Sequence, residues 1–232
     1  MLVLALAALY YSQCFEHSCL LSNFAMMFSL IDIFSRCCRW CRRFRKRCGY
    51  GIHSPFAFNL VTGVIYERGV YYPYERLSAA RTRANVVLRE KDDCLLFRLV
   101  NHISPAKGVA VSSHLGITKE YLRAGRMMAD WHFISPNELD LLDELLPHLG
   151  AIDFLYVDDS SHTQLVLKKA LPYVHDGTAF VIRHIHHNAA LFAIWQLFIR
   201  NPQVRVTFDL YDFGLIYFES RLNKEDYLIN YF

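Results

Sequence analysis

The stretch Val204-Arg-Val-Thr-Phe-Asp-Leu-Tyr-Asp-Phe-Gly-Leu-Ile-Tyr-Phe-Glu219 decides the fold. Val204, Val206 and Phe208 alternate with Arg205 and Thr207, the period of a strand with one buried face. Asp209 to Asp212 reads as a loop, and Phe213 to Glu219 as a second strand. A parallel connection takes a dozen or more residues, so two strands this close must pair antiparallel.

Upstream, strands and helices alternate. Strands are predicted over 108–112, 131–135, 152–157 and 178–182, and helices over 116–124, 135–149, 162–171 and 188–200. This rhythm indicates a parallel α/β sheet, here finishing in an antiparallel hairpin. Ser135-Pro-Asn-Glu138 is a capping box, and Gly150 closes the helix it opens. Further upstream, Ser54 is an N-cap with Pro55 in the first helical position. Phe56, Leu60, Val64 and Ile65 give that helix an apolar stripe. Helices are also predicted over 74–90 and 92–103, the second ended by Ser104-Pro105. The sequence thus divides into a helical extension (1–48), a helical lead-in (49–104) and an α/β domain (105–232).

Composition supports one such domain. Hydrophobic residues make up 53% and charged residues 20%, enough to bury a sizeable core. Seven cations lie between Arg36 and Arg47 with no acid among them. Without them a chain of formal charge +3 turns slightly acidic, so the globular part carries no nucleic-acid signature. Six of the seven cysteines precede Gly49, and residues 49–232 hold only Cys94. A secreted disulfide framework would spread them through the core, so a reducing, cytoplasmic setting is expected. Cys37-Cys38-x-x-Cys41 with Cys48 reads either as four thiolates for a soft metal or as thiols on a basic helix. Met1 to Tyr11 is apolar but lacks the positive start of a secretory signal. Cys19 to Phe34, at 16 residues, is short of the roughly 20 that span a bilayer. Residues 19–47 therefore read as a docking helix, with the start of translation at Met26 or Met27, or as a peripheral contact with an anionic membrane.

Several stretches resemble a group of bacterial class I S-adenosylmethionine (SAM) methyltransferase-like proteins. They are Gly51-Ile-His-Ser-Pro-Phe-Ala-Phe58, Leu95 to Val100, Leu115-Gly116-Ile117, Ile152 to Asp158 and Phe208 to Phe218, and the resemblance covers residues 49–232. It implies a Rossmann-like sheet of order 3-2-1-4-5-7-6, with the cofactor at the carboxyl ends of the first strands. In the family the first strand ends in an acidic-x-Gly-x-x-x-Gly turn. Here the matching residues are Ala110-Val-Ser112-Ser-His114-Leu-Gly116, and only the last glycine remains. The acid that grips the ribose is replaced by Ser135. The resemblance therefore assigns cofactor positions to Ser112, His114, Gly116 and Ser135, of which Ser112 and Ser135 depart from the pattern. Only 17 residues separate Ser135 from Asp153. A helix, a third strand and a further helix do not fit there, so the third strand and one helix are expected to be missing.

Asp158 matches an acid that, in metal-assisted relatives, helps hold a divalent cation. Its partners there form an acidic pair ahead of Ile-His, and this chain has Arg183-His184-Ile185-His186 instead. A guanidinium repels a cation, so no magnesium-type metal is expected. Either Asp158, Asp159, His162, His184, His186 and His187 converge on a zinc-type site, or Arg183 pairs with Asp158 in place of the metal. His53 and Ser54 read as a cap and turn or as a substrate-facing pair, and Tyr71, Tyr72 and Tyr74 as packing or a pocket wall. Two functions remain. One is an active SAM-dependent methyltransferase on a small molecule, with Asp158 and His162 or His186 handling the substrate proton. The other, which the altered residues favour, is a degenerate relative with weak or no cofactor binding that serves as an interaction module for an unidentified protein partner.

Overall fold

Phe154-Leu-Tyr-Val157 shows how the sheet is built, because alternate residues of this strand feed opposite cores. Phe154 and Tyr156 join one buried cluster, Leu155 and Val157 the other. A strand buried on both faces reads as a continuous apolar run, which is why it is plain in the sequence. The computed structural model describes residues 41, 43–46, 48–84, 86–158 and 161–231. The expected N-terminal helix, with Cys14, Cys19, Cys37 and Cys38, lies outside the described residues, as does Asp159. The chain divides into two units, Met1–Arg45 and Lys46–Phe232. In the first, a turn links the Phe44 N–H to the Cys41 carbonyl at 3.2 Å. All that follows concerns the second.

Seven strands form one sheet: β1 (Lys107–Ser112), β2 (Asp130–Ile134), β3 (Phe154–Asp158), β4 (Ala179–Arg183), β5 (Val206–Asp209), β6 (Phe213–Tyr217) and β7 (Glu225–Leu228). Their order is β2-β1-β3-β4-β6-β5-β7. The first four are parallel, β6 runs antiparallel to both its neighbours, and β7 is parallel to β5. The first six match the order implied by the resemblance once its third strand is removed. Among the described residues nothing pairs with β2 on its outer side. The short span after Ser135 holds only a 3₁₀ turn, Pro136–Glu138, and one helix. β7 was not expected. Its residues are mostly exposed and carry no apolar alternation to announce a strand.

The helices are α1 (Pro55–Leu60, running on into a π-turn over Val61–Ile65), α2 (Tyr74–Arg81), α3 (Glu90–Ile103), α4 (Thr118–Gly125), α5 (Leu141–Leu149), α6 (Thr163–Ala170) and α7 (Ala189–Ile199). α1, the π-turn and α3 cover one face of the sheet through Leu60, Val64, Leu95, Leu96 and Leu99. Leu142 and Leu146 of α5, Val166 and Leu167 of α6 and Trp195 of α7 cover the other. Trp195 lies flat on β6, where a Cβ on Gly214 would stand 2.5 Å from its ring. Two helices are shorter than predicted. α2 stops at Arg81 rather than reaching Glu90, since it buries only Leu77 and has no apolar face to hold a longer run. The helix predicted over 135–149 breaks after Glu138, where Leu142 reaches back three residues to the Leu139 carbonyl. Among the described residues no helix is long and apolar enough to cross a membrane.

One polar clamp fixes the start of the sheet. Asp153 Oδ2 accepts from the Ala106 and Lys107 N–H groups at 2.6 and 2.8 Å, and Oδ1 lies 2.7 Å from His175 Nε2. Burial pushes this carboxyl up, but the two N–H groups and His175 outweigh it and hold it below the usual carboxylate range. The stabilisation is therefore present above pH 4 or so and is lost as the pH falls through the depressed value. Asp153→Ala is expected to cost about 2 kcal/mol at neutral pH. In urea titrations the deficit should shrink below pH 4; an unchanged deficit at pH 3 would refute a role for the charge.

Candidate functional site

Asp158 is the last residue of β3 and Arg183 the last of β4. The two strands run in register, with Val157 opposite Ile182, so the next residue along each strand stands side by side. Arg183 Nη1 donates to Asp158 Oδ2 at 2.8 Å, with 16% and 9% of the two side chains exposed. Tyr156 donates its hydroxyl to the same oxygen at 3.3 Å. Burial and the nearby Asp158 charge hold that phenol well above its usual range, so it stays a donor. His184 Nε2 lies 3.5 Å from Asp158 Oδ1. The His184 backbone is left-handed, with φ at 63°, and its N–H donates to the Asp212 carbonyl at 2.7 Å. Burial and the Arg183 charge lower its pKa against the pull of Asp158, so its ring is neutral at neutral pH.

Of the two arrangements left open by the sequence, the ion pair between Arg183 and Asp158 is formed. His186 goes elsewhere: its Nε2 lies 2.7 Å from Oδ2 of Asp209, the end of β5. Its ring stacks between Tyr211 and Phe192, each centroid 4.8 Å away. β6 stands between β4 and β5, so Asp158 and His186 belong to separate polar groups. His162 is exposed and opens α6, its carbonyl accepting the Val166 N–H. His184 and His187 lie 5.4 Å apart by ring centroid. Among the described residues no group of three His, Cys, Asp or Glu side chains is placed to hold a metal ion.

Ser112, the last residue of β1, pairs in register with Asp158. Its hydroxyl folds back to accept the His114 N–H at 3.2 Å. His114 is exposed, and Gly116 takes φ of 48° to turn the chain into α4, a conformation that favours glycine. Ser135, beyond the end of β2, accepts the Asn137 N–H at 3.4 Å and caps the 3₁₀ turn. Both hydroxyls that stand at cofactor positions therefore serve their own loops. At Ser135 a neutral hydroxyl already accepting a local N–H is a poor substitute for a free carboxylate as a grip on a ribose, and Ser112 puts a side chain where the family's pattern has glycine, so these two residues do not match that pattern. His53 is exposed, and Ser54 caps α1 by accepting the Ala57 N–H at 3.4 Å. Phe56 packs edge-on against Tyr217, whose register partner Ala179 begins β4. His53 and Ser54 thus lie toward the amino ends of the parallel strands, away from Asp158. Tyr71 and Tyr74 pack with Phe97, while Tyr72 is fully exposed.

Sequence reasoning missed two cations of the lead-in, one of which ties it to this edge. Arg89 donates to both oxygens of Asp92, at 2.6 and 3.2 Å, and to Asp212 Oδ2 at 2.8 Å. Arg81 pairs with the fully buried Asp93 and donates to the Leu88 carbonyl at 2.7 Å. The acidic first turn of α3 (Glu90, Asp92, Asp93) was the available signal, since acids there attract cations as well as suit the helix dipole.

No family model matches this chain, and no curated protein matches it. Solved structures do. The SAH-bound methyltransferase PaMTH1 of Podospora anserina is 10% identical, with a TM-score of 0.50, covering 73% of this chain and 97% of its own. The O-methyltransferase TomG of Streptomyces achromogenes, involved in tomaymycin synthesis and solved with SAM, is 12% identical, with a TM-score of 0.50, covering 66% and 92%. At these identities the likeness is one of architecture: this chain has the Rossmann-like α/β fold of SAM-dependent O-methyltransferases.

Proposed function

We propose that this chain is a methyltransferase-fold binding module that binds SAM weakly or not at all and acts through an unidentified protein partner. The observation that carries the proposal is the Arg183–Asp158 pair. Where the family resemblance places a cation-binding acid, a guanidinium already neutralises the carboxylate. A divalent cation would have to displace a bonded, mostly buried cation to reach it. The Ser112 and Ser135 hydroxyls, each occupied in its own loop, support the same reading on the cofactor side. The likeness to SAM- and SAH-bound enzymes supports the alternative, an active methyltransferase on a small molecule. Titration of SAM into the purified chain, by calorimetry and by thermal shift, separates the two. The proposal expects no shift at millimolar SAM; a micromolar dissociation constant would overturn it.

A further inference from the structure

The outer edge of β2 is open among the described residues. The Asp130 N–H bonds inward to the Ala106 carbonyl at 2.8 Å. Main-chain groups alternate along a strand, so the N–H and C=O of Trp131 and Phe133 face outward. β2 carries none of the usual guards of an exposed edge: no proline, no lysine, and one charge at its first residue. Instead a groove runs along each of its two faces. On the α5 side one of about 610 Å³ is lined by His132, Leu141, Glu144, Leu145 and His148. On the α4 side one of about 380 Å³ is lined by Arg76, Glu120, Arg123, Met127 and Trp131. Leu141 is 50% exposed and Met127 81%.

An added strand needs both of these things. Its main chain pairs with the edge, and its side chains fall alternately into pockets on the two faces. The grooves differ in chemistry. The α4 side presents two arginines against one glutamate. Arg76 makes no ion pair among the described residues, and Arg123 only a half-exposed one with Glu120 at 3.6 Å. The α5 side offers leucine. Charge complementarity therefore selects a peptide with acids on one face and apolar residues on the other. A second copy of β2 would set α4 against α4 and bring Arg123 toward Arg123, which disfavours self-pairing.

We propose that the open edge of β2 docks an extended peptide of a partner protein, with acidic and apolar residues in alternation, as an eighth strand. The inference rests on reading the chain as an interaction module but does not depend on whether SAM binds, so SAM and peptide titrations fail independently. The probe is a fluorescein-labelled peptide alternating glutamate with valine, titrated against the full chain by anisotropy. Saturable binding is expected, and a lysine–valine peptide should not compete. Arg76→Glu with Arg123→Glu, both exposed positions, should weaken binding about tenfold or more while far-ultraviolet circular dichroism stays unchanged. N-methylation of the alternate peptide amides that face β2 should abolish binding, whereas methylation of the other set should not. The proposal is overturned by no saturable binding, by equal binding of the lysine peptide, by indifference to N-methylation, or by light scattering that shows a dimer which the peptide dissolves.

Discussion

Arg81→Ala is expected to lower the unfolding free energy by about 4 kcal/mol at neutral pH, the range for stripping a partner from a buried ion pair. Asp93 has no exposed side-chain surface and Arg81 only 11%. Burial already raises the Asp93 pKa, opposed chiefly by the Arg81 guanidinium beside it. Without the guanidinium the folded-state value climbs further. A carboxyl raised in the folded state binds more protons there than in the unfolded chain, so its penalty grows as the pH rises above the unfolded value. The deficit should therefore be largest near pH 7 and ease on acidification until the pH reaches the raised Asp93 value of the unmutated protein, below which the carboxyl is protonated with or without the guanidinium. Urea denaturation at several pH values measures it. Adding Asp93→Asn should flatten the pH dependence; a deficit of Arg81→Ala that ignores pH would refute the account.

Arg183→Ala is the second large effect, expected at about 3 kcal/mol. It stands lower in the range because Asp158 keeps the Tyr156 hydroxyl and the nearby His184 ring. Arg183→Met combined with Asp158→Asn, which removes both charges and keeps the volume, should recover most of that loss. If the double variant is as unstable as Arg183→Ala, the pair is not what holds the ends of β3 and β4 together. Arg183→Asp should be less stable than Arg183→Ala, because two carboxylates then share the edge. Part of that loss should return with added magnesium.

Much of the architecture was legible because it follows from alternation and spacing. The buried strands β3 and β4 are apolar runs up to the charged residue that ends each, and the β5–β6 hairpin is set by a connection too short for a crossover. Counting residues between Ser135 and Asp153 foretold an edge at β2. What was hidden has physical reasons. β7 gains its place from main-chain pairing with β5, and its side chains are largely in water, so no period marks it. The Arg183–Asp158 pair was one of two arrangements the sequence allowed at this edge, and it forms because neighbouring parallel strands end together. The departure of His186 to Asp209 was not, because it depends on a left-handed Tyr211 whose N–H also bonds Asp209. A sequence shows which side chains leave one sheet edge but not how a loop turns afterwards.

β7 and the residues after it also have a kinetic consequence. The Asn230 N–H donates to the Lys46 carbonyl at 2.8 Å, the Tyr66 hydroxyl to the Asn230 carbonyl, and the Tyr231 hydroxyl to the Lys91 carbonyl at 2.9 Å. Tyr66 and Asn230 stand 164 positions apart. The segment before α1 is made early, and its main-chain tie to Asn230 waits for residues made late. Contacts of such long range slow folding, because the chain must close large loops before they are rewarded. A ribosome-bound chain halted ahead of β7 should therefore hold a formed centre and a loose beginning, open to proteolysis between Lys46 and Tyr66.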